Sequence, residues 1–122
     1  MARPVARGEV WMIDLGMAAK VRPCLILSVA FRDEEKAVVT YVARSTQTRG
    51  GRFEVEHVAP QFLPGVFDAQ NLGTVPVAKL ERFLTRLPAD KLAAVENAVQ
   101  RWLGFTIERK TGEDGPSALS AS

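Results

Sequence analysis

The chain has 122 residues, 47% of them hydrophobic, and carries 16 Lys plus Arg against 14 Asp plus Glu. That is enough apolar material for one core in one domain, and a formal net charge of +2 permits a phosphate-bearing partner without requiring one. A single cysteine, Cys24, excludes an intramolecular disulfide, and one cysteine with one histidine, His57, offers no metal-ligand cluster.

Residues 1–8 contain Pro4 and a turn signal at Arg7-Gly8, with no apolar run resembling a signal peptide. No segment approaches the length of a membrane span, so a cytoplasmic protein without a membrane partner is expected. Glu9–Leu15 alternates and predicts a strand, with Val10, Met12 and Asp14 on one face and Trp11, Ile13 and Leu15 on the other. Gly16–Pro23 reads as a loop that presents Lys20 and Arg22. Pro23 fixes its own φ and restricts Arg22 to extended geometry, so the guanidinium leaves the sheet in a set direction. Cys24–Ser28 is a nearly continuous apolar run, as expected of a strand covered on both faces, and makes Cys24 a buried structural thiol.

Phe31–Lys36 is polar and predicts a hairpin loop. The β-branched run Ala37–Ala43 predicts the next strand, followed by a loop rich in hydroxyls, cations and glycine over Arg44–Gly51. Phe53–Val58 alternates as a strand, with Phe53, Val55 and His57 on one face and Glu54, Glu56 and Val58 on the other. Ala59–Gly65 holds two prolines and reads as irregular. Val66–Val75 permits only a short strand, because Asp68, Asn71 and Gly73 interrupt it; Lys79–Leu87 reads either as a helical turn or as a strand, with Arg82–Leu87 suited to an edge strand. Leu92, Val95, Val99 and Trp102 fall on one stripe of a helix over Ala89–Leu103, with Pro88 and Asp90 at its start and Gly104 at its end. Both tryptophans are expected in the core. From Thr106 the composition turns polar and small, so the folded domain is expected over residues 1–105 and a disordered tail over 106–122. Short strands closed by an amphipathic helix give an α+β fold: a small, strongly bent sheet or barrel packed on one helix.

Two loops carry the chemistry. One offers Lys20 and Arg22; the other offers Arg44, Ser45, Thr46, Gln47, Thr48 and Arg49. Guanidinium forks, hydroxyls and an amide suit phosphate oxygens better than a carbonyl or a metal. With no metal ligands, a phosphodiester would have to be cut by its own 2′-hydroxyl, which only RNA has. The plainer readings are that Arg22 is a surface cation with its stem on the sheet, and that Ser45–Thr48 is an ordinary hairpin loop. His57 reads as structural or as a surface residue.

Several motifs in order resemble the MazF/PemK family of toxins from type II toxin–antitoxin pairs. They are Arg7-Gly8-Glu9-Val10-Trp11 with Asp14-Leu15, Arg22-Pro23 before Cys24–Ser28, Arg44–Gly50 before Phe53-Glu54-Val55, and Leu72-Gly73-Thr74-Val75 with Leu80 and Trp102-Leu103-Gly104. The resemblance covers about residues 7 to 105. It implies an SH3-like barrel, usually a homodimer, and a metal- and cofactor-independent endoribonuclease that cuts single-stranded RNA at a sequence motif. The products would be a 2′,3′-cyclic phosphate and a 5′-hydroxyl, and a cognate antitoxin would neutralise the activity. The family's acid–base and phosphate-stabilising arginine falls on Arg22, and its catalytic hydroxyl falls on Ser45, with Thr46 the neighbouring candidate. Lys20, Arg44, Gln47, Thr48 and Arg49 are the expected RNA-binding residues. Many relatives carry a glutamate or glutamine in a longer first loop, whereas Gly16–Val21 holds neither, and Lys20 is the nearest substitute. The alternatives are a gyrase poison like the related CcdB toxins, or an inactive barrel that binds RNA or a partner.

Overall fold

Alternation in the first predicted strand is realised on both faces of a sheet. The computed structural model describes residues 4–16 and 20–105. It contains β1 (Glu9–Asp14), β2 (Val21–Ile26), β3 (Val38–Ser45), β4 (Glu54–His57), β5 (Gly65–Pro76), a 3-10 turn (Val77–Lys79), β6 (Leu80–Arg86) and α1 (Ala89–Leu103). The strands form one antiparallel sheet in the order β4-β5-β3-β2-β1-β6. The α+β class and the terminal helix are therefore as the sequence predicts. Among the described residues no ladder joins the edge strands β4 and β6, so by its hydrogen bonds the sheet is open.

Two apolar clusters lie on opposite faces. Val10, Leu25, Val42, Phe67 and Ala69 meet Val95, Ala98 and Val99 of α1. Trp11, Ile13, Cys24, Ile26, Val39 and Ala43 form the other face, covered by Leu15, Val75, Val77, Leu80 and Phe83. A period of two sends neighbours to opposite sides, and burial on both sides explains why Cys24-Leu25-Ile26 is apolar throughout. The helix bounds agree with the predicted ones. Gly104 ends α1 in the left-handed region at φ 77°, where its N–H reaches the Arg101 carbonyl. Trp102 departs from expectation: it is 43% exposed, with its ring 5.4 Å from that of Phe53.

Among the strand bounds that differ from those predicted, those of β2, β3 and β5 bear on the candidate site. β2 begins at Val21, so Arg22 and Pro23 belong to the strand rather than to a loop, paired with Ile13 and Met12 of β1. β3 continues through Arg44 and Ser45, which pair with Phe67 and Val66. The interrupted stretch Val66–Val75 lies within the twelve-residue β5. Its polar residues fit because register slips there: β3 advances from Val42 to Arg44 while β5 runs from Leu72 to Phe67. Such a bulge leaves Asp68, Gln70 and Asn71 at least partly solvated and bends the sheet.

Candidate functional site

Register brings the two predicted loops to one place. Cys24 pairs with Ala43, and both face the Trp11 side of the sheet. Counting two residues outward along each strand puts Arg22 opposite Ser45, on that same face. Here the β2–β3 pairing has ended. The Leu27 N–H donates to the Thr40 carbonyl at 2.9 Å, so odd-numbered residues of β2 turn their N–H groups toward β3. Pro23 is the next such position beyond Leu25 and has no N–H to give. Arg22, Pro23, Arg44, Ser45, Thr46 and Gln47 line a cavity of about 250 Å³ where the strands part.

Arg22 and Ser45 are half-buried, and Thr46 and Gln47 are exposed. Ser45 Oγ accepts from the Gln47 N–H at 3.0 Å and lies 3.2 Å from the Gln47 carbonyl, a local turn that shapes the strand end. Cys24, beneath Arg22, is fully buried; burial pushes its thiol up to about 12, against the opposing pull of the nearby Arg22 charge. It is the inert thiol the sequence predicts.

The remaining predicted residues separate. Lys20 is exposed, with a positive φ of 58°. Met17, Ala18 and Ala19 of the same loop lie outside the described residues. Thr48 turns away from the cavity: its hydroxyl donates to Glu54 Oε1 at 2.9 Å. The Arg49 and Gly50 N–H groups also donate to that carboxylate, and these bonds hold it below the usual carboxylate range. The loop is thus wound around Glu54, with the Arg49 side chain exposed.

Arg44 is the clearest correction. Expected on the RNA side, its side chain takes the opposite face from Ser45 and the residue is 4% exposed. Nε donates to His57 Nδ1 at 2.8 Å, and Nη2 donates to the carbonyls of His57 at 2.8 Å and Leu63 at 2.6 Å. Its guanidinium lies 4.8 Å from the Phe62 ring centroid. Burial lowers the pKa of Arg44, and burial followed by the Arg44 and Lys91 charges lowers that of His57. The sequence alone does not join these two residues, although the parity of Val42 with Arg44 and of Phe53 with His57 carries the signal. Among the described residues no three His, Cys, Asp or Glu side chains gather where they could hold a metal ion. Nor is any described helix long and apolar enough to cross a membrane.

Comparison with known proteins places the fold in a family. Residues 6–103 match the family model of the PemK-like, MazF-like toxin of type II toxin–antitoxin systems. The chain belongs to this toxin family. The Mycobacterium tuberculosis toxin MazF-mt6 shares 28% identity with this MazF-like chain, covering 79% of it and 96% of the toxin, with a TM-score of 0.66. A mycobacterial endoribonuclease in complex with its cognate antitoxin shares 27% identity over 85% of this chain and 99% of its own, with a TM-score of 0.72. A MazE–MazF complex from Deinococcus radiodurans has the same fold at 24% identity and a TM-score of 0.71, covering 84% of this chain and 98% of its own. A search of curated proteins returned no match.

Proposed function

We propose that this MazF-like chain is a metal-independent endoribonuclease toxin that cleaves single-stranded RNA at a sequence motif. The observation that carries this reading is the cavity lined by Arg22, Ser45 and Thr46 at the open end of β2 and β3. The endoribonuclease described for the mycobacterial neighbour supports it. In the proposed reaction the RNA 2′-hydroxyl attacks the adjacent phosphorus. The 5′-oxygen leaves, giving a 2′,3′-cyclic phosphate and a 5′-hydroxyl. Arg22 stabilises charge on the phosphoryl oxygens and serves proton transfer, and Ser45 donates to one of those oxygens, with Thr46 beside it. Lys20, Gln47 and Arg49 are exposed around the cavity strands and are the proposed RNA contacts; Thr48 contributes by holding the loop on Glu54.

The solved complexes of neighbours with their antitoxins support a cognate antitoxin as the neutralising partner. We also propose the family's homodimer, and an SH3-like curvature of the sheet generated by the β5 bulge.

Purified protein incubated with a long RNA in a chelating buffer should cut at a recurring short motif and leave 5′-hydroxyl ends. Arg22→Ala should lower kcat by roughly 10²- to 10³-fold, the range for removing one preorganised donor from a developing anion. Undiminished cleavage by Arg22→Ala would sink the assignment, and RNA binding without cleavage would leave a binding module instead.

A further inference from the structure

We infer that the buried Arg44–His57 pair is a positioning device that holds the Ser45 end of β3 in register with Arg22, and that it works only while His57 is neutral. This deepens the proposed function and rests on Ser45 being part of an RNA-cleaving site.

Main-chain support for the Ser45 end of β3 comes from one side only. On the β2 side, pairing stops at Cys24↔Ala43, two residues short of Ser45. On the β5 side, it resumes at Arg44↔Phe67 only after the register slip. Arg44 supplies side-chain bonds at that position. It ties the end of β3 to the last residue of β4 and, through the Leu63 carbonyl, to the 58–64 connection. Gly65 presses on the same spot: a Cβ there would lie 2.5 Å from the Ser45 carbonyl oxygen and 2.8 Å from Arg44 Nη1. These acceptors of the guanidinium, one imidazole nitrogen and two carbonyl oxygens, are all neutral. A buried cation without a carboxylate among those acceptors is a poor device for stability alone, since an apolar side chain of similar size fills such a site at lower desolvation cost.

His57 sets the condition. Its Nδ1 accepts the Arg44 Nε–H, so the remaining ring proton belongs on Nε2. The ring is 5% exposed and lies between Phe62, at 5.2 Å, and Phe67, at 5.0 Å. The charged groups that face it are Arg44 from β3 and Lys91 from α1, both cations. Protonating Nδ1 would replace an acceptor by a donor and set imidazolium against guanidinium. The clamp would open, and Ser45 would lose its fixed place opposite Arg22.

Two measurements on the full chain test this. In 15N NMR without RNA, the amides at the Ser45 end of β3, which ladder with β5, should lose protection from exchange in step with His57 titration as pH falls from about 8 to about 5. In His57→Gln, whose amide oxygen can accept the Arg44 bond without titrating, that step should vanish. In cleavage assays near pH 7.5, His57→Ala should lose roughly tenfold in kcat with little change in KM, and His57→Gln should restore most of that loss. Amides indifferent to His57 titration, or equal kcat losses in the two His57 variants, would overturn the clamp. Absence of RNA cleavage by the unsubstituted protein would count against the proposed function alone, because the NMR readout needs no RNA.

Discussion

Ser45 and Thr46 are neighbours in sequence, but only one shares a strand face with Arg22. Parity puts Ser45 with Ala43 on the Trp11 side, and the extended β2–β3 register puts it across from Arg22. Thr46 follows as the first residue beyond β3 and is exposed. A donor contributes most to an oxyanion when it is already fixed, so the better-held hydroxyl should matter more. Ser45→Ala should therefore reduce kcat on a defined RNA by roughly 10- to 10²-fold, as for loss of one oriented donor. Thr46→Val keeps the shape and removes the hydroxyl, and should cost no more than about threefold, or well under 1 kcal/mol in the transition state. The reverse ranking in single-turnover cleavage would move the catalytic hydroxyl to Thr46. Glu54 presents a related distinction. Its carboxylate orders the loop through Thr48, Arg49 and Gly50, which makes Thr48 a support for the loop rather than a group facing the cavity.

At the level of elements, the site exists because two strands stop pairing at Pro23. Replacing Pro23 by Ala returns an N–H on the β3 side and permits one more ladder bond, to Arg44. The added bond is worth about 1 kcal/mol. Against it stands the loss of proline's restriction on the unfolded chain, about 0.4–1 kcal/mol. These nearly cancel, so thermal unfolding followed by circular dichroism should place Tm within a few degrees of the parent. Activity should respond differently. An extended ladder draws the ends of β2 and β3 together and releases the backbone restriction on Arg22, so cleavage should fall several-fold. A Pro23→Ala protein with full activity would show that the strand gap is incidental to the chemistry. A large fall in Tm would show instead that Pro23 serves the fold. The sequence indicated that Pro23 aims Arg22 but not that it ends a ladder, because the register with β3 cannot be counted until both strands have their bounds. β2 and β3 were each predicted too short at the end that carries the site. The polar residues Arg22, Arg44 and Ser45 look like loop residues when their pairing partners are unknown.

Across the whole molecule, patterns carried within one element were legible and those that depend on partners were not. The helix, the alternation of β1 and the apolar run of β2 follow from local periodicity and all appear in the fold. β5 looked interrupted at Asp68, Asn71 and Gly73 because its bulge is defined only against β3. Arg44 and His57 stand thirteen residues apart and meet only once β3, β5 and β4 are side by side. That buried pair has a consequence for global stability. Burial and two neighbouring cations lower the folded-state pKa of His57 from its ordinary 6.5. Between the lowered value and 6.5 the unfolded chain binds the proton and the folded chain resists it. Stability must therefore fall as pH falls through this window, and the contribution is fully present above 6.5. Glu54, also lowered from its ordinary 4.5, acts in the same direction but at more acid pH. Urea unfolding at a series of pH values should show a plateau from about pH 8 to about pH 7, then a decline that begins below His57's ordinary value. His57→Gln should remove the upper part of that decline and leave the more acid part, where carboxylates take up protons. An unchanged profile in His57→Gln would mean that the imidazole titrates alike in the folded and unfolded chains, and the buried acceptor bond from Arg44 would then have no thermodynamic weight.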